Sequence, residues 1–324
     1  MRRSSSSEDA TEVLFFRDFR RFTGGDLKVW DYFNHVRSSP RHEALIRFTE
    51  ESVWGDDNPW NAAREHVVRF GEPCRPDVLF LSGVDWQMIE RADRPDSPIP
   101  IVNLIQHVLH ADPDDKLGRY RFLAHKAIRI CVSHEITTAL EQTGRVRGPL
   151  FTIPDAVDLE RLAGFATKGR RDLDLLVLAN KQPERGRAVL ERLTGDHRAQ
   201  IVDVRSPHDE VLDLMGRAAV TVFVPNPKEG FYLPALEGMA LGTIVVCPDC
   251  IGNRSFCLDR DNCFRPAYDV AAIVADAREA LARKDELDAM VQSAAQTAAG
   301  HDLRDERSAF LEILERVGEL WAAA

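Results

Sequence analysis

The sequence predicts an α/β protein made of two doubly wound, parallel-sheet domains. Three observations lead there. Short aliphatic runs bounded by turn residues alternate with segments of helical period, the pattern of buried parallel strands covered by helices on both faces. A polar stretch between Ala163 and Arg171, carrying Gly164 and Gly169, separates two such series. The chain of 324 residues is long enough for two ordinary domains, and 44% hydrophobic against 29% charged residues supplies large cores. The expected division is a disordered start over 1–10, a domain over 11–165, a second over 166–304 and a C-terminal helix over 305–324.

In the first domain, Val13 to Phe16 reads as the opening strand. A polar loop with Arg17, Arg20 and Arg21 leads through Thr23-Gly24-Gly25-Asp26 to a helix whose apolar period runs through Trp30, Phe33 and Val36. A glycine pair between strand and helix lets backbone approach a ligand, although by itself it fits a plain turn as well. Trp54, Asn58-Pro59 and Trp60 mark loops, with a helix around Ala62 to Phe70. Pro76 to Gly83 reads as a buried strand ending in a turn, followed by a helix that includes Trp86 to Glu90. Pro100 to Ile105 is another strand, and Gln106 and His107 stand at its carboxyl end, where open α/β sheets bind ligands. A helix around Leu117 to Ala127, a strand from Ile128 to Ser133 and a helix from Glu135 to Gln142 complete the series.

The second domain opens with the strand Asp174 to Leu178, whose exit Ala179-Asn180-Lys181-Gln182-Pro183-Glu184-Arg185-Gly186 enters a helix. A strand closes at Val202, and Pro207 to Glu210 begins a helix with acidic residues in its first turn, where the helix dipole favours them. Ala219 to Val224 leads into the central stretch, NPKEGFYLPALEGMALGTIVVC from Asn226 to Cys247. Gly230 allows a sharp turn, Pro234 suits the first helical turn because its missing N–H is not needed there, and Gly242 ends the helix. Thr243 to Cys247 is again a β-branched strand. Glu229 therefore sits on the loop, the open amides near Tyr232 to Ala235 mark the helix N-terminus, and Glu237 lies about one turn further in. Such a place suits an anion, through amides and dipole, beside carboxylates that accept from neighbouring hydroxyls. Paired helices over Asp269 to Ala282 and Glu286 to Ala298, then an amphipathic stretch from Glu306 to Trp321, finish the chain.

The two glutamates, separated by seven residues, with their strand, turn and helix, resemble the glutamate-x7-glutamate signature of retaining GT-B glycosyltransferases, family 4 (group 1) in particular. There a Pro-Ser and a Glu-Gly-Phe-Gly-Leu-Pro string lie between strand and helix. Here Asn226 replaces the Ser and Tyr232 the second Gly. Ile153-Pro154-Asp155-Ala156-Val157-Asp158 resembles the family's Ile-Pro-Asn-Gly-Val-Asp segment before the interdomain linker, with Asp155-Ala156 in place of Asn-Gly. The resemblance implies the GT-B fold, with the domains facing across a cleft, a nucleotide-diphosphate sugar on the second and a hydroxyl acceptor (glycan, lipid-linked glycan or small molecule) on the first. It implies that Glu237 holds ribose hydroxyls, Glu229 sugar hydroxyls, and the backbone of Phe231, Tyr232 and Leu233 the phosphates. Gly24 and Gly25 would face the diphosphate, His107 (with His110 as the lesser choice) would lie near the anomeric carbon, and Arg185 would take charge building on the leaving group. The family's first cation falls on Asn180, a departure that Lys181 would have to offset. The implied transfer retains configuration and needs no metal or other cofactor. The competing readings are a catalytically silent sugar-nucleotide-binding subunit, a sugar-nucleotide epimerase and, on the two carboxylates alone, a glycoside hydrolase.

Charge excludes a dedicated nucleic-acid binder. Residues 1–160 and 161–324 each carry 21 Lys and Arg against 26 Asp and Glu, and the net charge is −10. Cys247, Cys250, Cys257 and Cys263 offer only one ligand pair of zinc-site spacing and are read as buried thiols. The opening MRRSSSSEDA has no apolar core behind its charges, and no run approaches bilayer length. A cytoplasmic protein is expected, with Arg2, Arg3, Arg17, Arg20 and Arg21 allowing weak contact with the inner face of the membrane.

Overall fold

The computed structural model describes residues 10–90, 98–166, 171–193, 195 and 197–324. The chain forms two compact units, one of residues up to Pro154 together with Arg307–Ala324, the other Asp155–Glu306. The division thus falls before the Asp155 segment, not within 163–171, part of which lies outside the described residues, as does the serine-rich start.

The first unit holds a seven-stranded sheet in the order β3-β2-β1-β4-β5-β6-β7. Its strands are β1 (Thr11–Arg17), β2 (His42–Phe48), β3 (Val67–Val68), β4 (Val78–Ser82), β5 (Ile101–Ile105), β6 (Ile128–Cys131) and β7 (Leu150–Thr152). Every pairing is parallel. Helices α1 (Gly24–Arg37), α2 (Trp86–Glu90) and α3 (His134–Gln142) connect them. The order reverses between β1 and β4, which creates a crevice at their carboxyl ends.

The second unit holds a four-stranded parallel sheet, β11-β10-β8-β9, from β8 (Leu173–Leu178), β9 (Ala199–Val202), β10 (Ala218–Phe223) and β11 (Ile244–Val246). Its helices are α4 (Leu159–Ala163), α5 (Pro183–Leu193), α6 (His208–Arg217), α7 (Leu233–Ala240), α8 (Val270–Ala282) and α9 (Asp288–Ala299). Here the order reverses between β8 and β10. Close helix–sheet packing requires two glycines: a Cβ on Gly186 of α5 would meet Ala179 Cβ at 2.1 Å, and one on Gly238 of α7 would meet the Phe223 ring at 2.8 Å.

The last helices are α10 (Leu303–Glu315) and α11 (Val317–Ala322). Phe310 carries α10 into the first unit's core, with ring centroids 4.7 Å from Tyr32 and 5.7 Å from Phe80. Burying that ring stabilises by about 2–3 kcal/mol.

Three local expectations need correction. The stretch from Ala62 to Phe70 is not one helix: a 3-10 segment, Pro59–His66, runs into β3, which pairs with β2. The expected helix over Leu117 to Ala127 shrinks to a 3-10 turn, Arg119–Ala124, because Gly118 is left-handed at φ 65 and breaks the backbone there. Arg17 is not a surface cation. Its guanidinium lies 2.6 Å from Asp26 and 3.6 Å from Asp85, so it is unavailable to a lipid surface, and Arg20 is engaged by Asp18 at 2.8 Å. No helix among the described residues is long and apolar enough to cross a membrane.

Candidate functional site

The carboxyl ends of β8 and β10 flank the reversal in the second unit, and the residues leaving both strands converge. From the β8 exit, Lys181 donates through Nζ to Glu229 Oε1 at 2.8 Å. From the β10 exit, Glu229 also accepts the Asn226 backbone N–H at 3.2 Å, which closes the turn. Glu229 is 12% exposed and Lys181 40%, so their ion pair contributes at most about 1 kcal/mol and serves placement more than stability. Gln182 Nε2 adds a bond to Asn226 Oδ1 at 2.7 Å, tying the two exits together. Asn180, on the family's cation position, is exposed.

Arg185 lies on the first turn of α5. Its guanidinium stacks 4.7 Å from the Tyr268 ring centroid, Nη1 donates to the Tyr268 carbonyl at 3.4 Å, and Nε is buried without a hydrogen-bond partner. The Tyr268 hydroxyl donates to the Pro225 carbonyl, so one aromatic residue links Arg185 to the β10 exit.

The turn itself is packed from below. Tyr232 donates its backbone N–H to the Gly252 carbonyl at 2.8 Å, and a Cβ at Gly252 would lie 2.8 Å from Phe231 N and 2.9 Å from Glu229 O. The Tyr232 amide is therefore spent within the protein, which corrects its expected role toward a phosphate. The Phe231 ring is also internal, stacked 4.9 Å from Phe256. Leu233 opens α7. Pro234 follows at a position where no N–H is required. Beneath the turn, Asn253 Nδ2 donates to Cys247 Sγ at 3.2 Å and to the Pro248 carbonyl at 3.0 Å. Cys247, Cys250, Cys257 and Cys263 are buried free thiols. Burial pushes the Cys250 and Cys257 pKa values up, so these thiols are packing groups. Among the described residues, no three His, Cys, Asp or Glu side chains come together as metal ligands.

One turn into α7, Glu237 is 8% exposed on its side chain, and its Oε1 lies 2.8 Å from His208 Nε2 at the start of α6. A single arginine holds both helices. Arg171 donates to the carbonyls of Met215, Gly216 and Ala218 at the end of α6 and to that of Leu241 at the end of α7, at 3.3, 2.6, 3.0 and 2.8 Å. A cation at two helix C-termini also suits their dipoles.

The remaining expected residues belong to the first unit. Gly25 accepts at its carbonyl from Gln106 Nε2 at 3.2 Å, and Gln106 also donates to Ser82 Oγ at 2.8 Å, so the glycine loop is fastened at the β1/β4 reversal. Gly24 begins α1 beside it, and Thr23 caps that helix. Asp85, beneath the loop, is buried. Burial lifts its pKa to about 6 against the opposing pull of Arg17. His107 caps a short 3-10 turn by accepting the Leu109 N–H at 3.1 Å. His110 is 1% exposed, and burial first, then Arg119, drops its pKa to about 3. Of the two histidines, His107 is the more accessible.

Residues 159–283 match the family model "Glycosyl transferases group 1". The chain is similar in structure to sucrose-phosphate synthase from Thermosynechococcus elongatus (TM-score 0.70, 11% identity, 97% of this chain and 100% of that one). It is also similar to Anabaena HepE, solved with UDP-glucose (0.73, 13%, 94% and 99%), and to a glycosyltransferase from Rickettsia africae (0.69, 11%, 95% and 99%). The fold is GT-B. No curated protein sequence matches the chain.

Three residues that shape this candidate site were not read as such from the sequence. Tyr268 carries no local signal. His208 appears only as the start of an acidic helix, and Arg171 only as the end of a polar stretch. The contact of Gly252 with the Glu229 turn was not read from the sequence either.

Proposed function

We propose that the protein transfers a sugar from a nucleotide-diphosphate sugar to a hydroxyl acceptor with retention of configuration, in the manner of glycosyltransferase family 4. The observation that carries this reading is the convergence of Lys181 and Glu229 from the two strands flanking the sheet reversal, beside Arg185 and the N-terminus of a helix that holds Glu237. Glu237 accepts from the ribose hydroxyls and Glu229 from the sugar hydroxyls. The α7 amide at Leu233 and the cations Lys181 and Arg185 take the diphosphate, and Arg185, whose Nε lacks a partner, stabilises charge as the glycosidic bond opens. These two side chains supply the positive charge that a divalent ion supplies elsewhere, so the transfer is proposed to be metal-independent. The first unit takes the acceptor, and His107 is its candidate reacting-centre residue. The match over 159–283 and the UDP-glucose complex of HepE support the donor class.

The test is turnover with UDP-, GDP-, dTDP- and ADP-sugars and a panel of sugar and lipid-linked alcohols, with and without EDTA. The anomeric configuration of the product is read by NMR. A product of retained configuration, formed in EDTA, supports the proposal; an inverted product contradicts it. The exposed Asn180 on the cation position favours a second reading, a silent binding subunit. That reading predicts saturable donor binding with no transfer to any acceptor and no epimerisation of the sugar.

A further inference from the structure

His208 and Glu237 lie 29 positions apart in sequence and touch through a hydrogen bond of 2.8 Å. The histidine is 26% exposed and the carboxylate 8%, so solvent reaches the pair from the histidine side. The charged groups facing the ring are Glu237 on α7, Asp209 on α6 and Arg161 on α4, and Arg161 is itself ion-paired with Asp209. With those two compensating each other, the charge on Glu237 is left to His208.

We propose that His208 is the positioning residue of the donor site: it holds one oxygen of Glu237, leaves the other for vicinal hydroxyls of the donor, and makes donor affinity depend on its own protonation. The inference rests on the donor-site reading above. A buried carboxylate that turns freely presents no fixed acceptor, whereas one anchored at Oε1 does. Charge supplies the second half of the argument. A bare carboxylate repels the donor's diphosphate, and an imidazolium bonded to it cancels that repulsion. Burial pushes the His208 pKa down, but the hydrogen bond and charge of Glu237 outweigh it and the net shift is upward. The imidazolium therefore persists above the ordinary histidine range and is lost as pH rises beyond it. A sugar-linked diphosphate lacks the terminal phosphate proton that titrates near neutrality, so the ligand contributes no comparable change.

The experiment is calorimetric titration of the full chain with UDP-glucose, GDP-mannose and ADP-glucose at about pH 6 and about pH 8.5, a pair of values that brackets a raised histidine pKa. Wild type is compared with His208→Asn, which can donate to Glu237 but has no proton to titrate, and with His208→Ala. Wild type should bind about fivefold more tightly at the lower pH, where the imidazolium charge offsets that of Glu237 toward the diphosphate. His208→Asn should bind with the same Kd at both pH values, and His208→Ala should bind about tenfold more weakly than wild type at low pH, because Glu237 loses its anchor. Variants that keep the wild-type pH ratio, or an alanine variant that binds as wild type does, overturn the role of His208 while leaving the donor site intact. Failure of every nucleotide sugar to bind wild type at either pH overturns the donor-site reading and this inference with it.

Discussion

Gly252→Ala should disable the site without unfolding the protein. The added Cβ would sit 2.8 Å from Phe231 N, 2.9 Å from Phe231 Cα and 2.9 Å from Glu229 O. All three are backbone atoms, so no side chain can swing aside. Ordinary carbon contacts lie near 3.5–4.0 Å, and relief therefore requires the Glu229 turn to move by roughly 0.5–1 Å. Residue 252 has no left-handed backbone requirement, so the penalty is one of space alone. The turn is also pinned from the other side, because Tyr232 N–H is bonded to the Gly252 carbonyl at 2.8 Å. Overpacking of this kind costs about 1–3 kcal/mol, which a unit of this size survives. Displacing a substrate-holding carboxylate by about 1 Å can cost on the order of 100-fold in turnover. The assay is donor binding and transfer rate, with far-UV circular dichroism and melting temperature as controls for folding. A folded Gly252→Ala protein within twofold of wild type in both functions would refute the argument that this contact sets the position of Glu229.

Two further perturbations test the scaffold. Arg171→Ala removes four bonds to carbonyls at the ends of α6 and α7, and should lower stability by about 3 kcal/mol in denaturant unfolding; a loss below about 1 kcal/mol would show that the clamp is dispensable. Asp85, with its pKa lifted from 3.8 to about 6 by burial, holds a proton in the folded state that the unfolded chain gives up. Its contribution is full below pH 3.8 and is lost as pH rises through 6, so wild type should lose up to about 3 kcal/mol between those values through this group. Asp85→Asn should flatten that dependence in denaturant unfolding, and an unchanged pH slope in the variant would exclude Asp85 as its source.

Most of the sheet was legible because central parallel strands are buried on both faces, so Leu173–Leu178 and Val78–Ser82 appear as nearly unbroken aliphatic runs. Strand β2 escaped because His42, Glu43 and Arg47 interrupt its apolar positions, whose burial alternates near one edge of the sheet. The stretch from Ala62 to Phe70 was misread as one helix because its composition suits one, but its backbone kinks at Ala63 and turns extended at Val67–Val68. The central turn was legible in its order of glycine, proline and glutamate, all of which act locally. What the sequence did not disclose is long-range. His208 reaches Glu237, Tyr268 reaches Pro225 and Arg171 reaches Leu241 across separations that no local period records. The loss of the Tyr232 amide to Gly252 is of the same kind, since a helix N-terminus read from sequence shows which donors are open to the helix but not which are already taken by another loop.

The central claim is that the second unit binds a nucleotide sugar through Glu237 and the turn before it. Thermal stabilisation by UDP-, GDP-, dTDP- and ADP-sugars, measured on wild type and Glu237→Ala, tests it most directly, because a ligand bound to the folded state raises the melting temperature by mass action. One nucleotide class should stabilise wild type, in EDTA as well as in magnesium, and should leave a folded Glu237→Ala protein unaffected. Equal stabilisation of both proteins, or of neither at millimolar ligand, would contradict the claim.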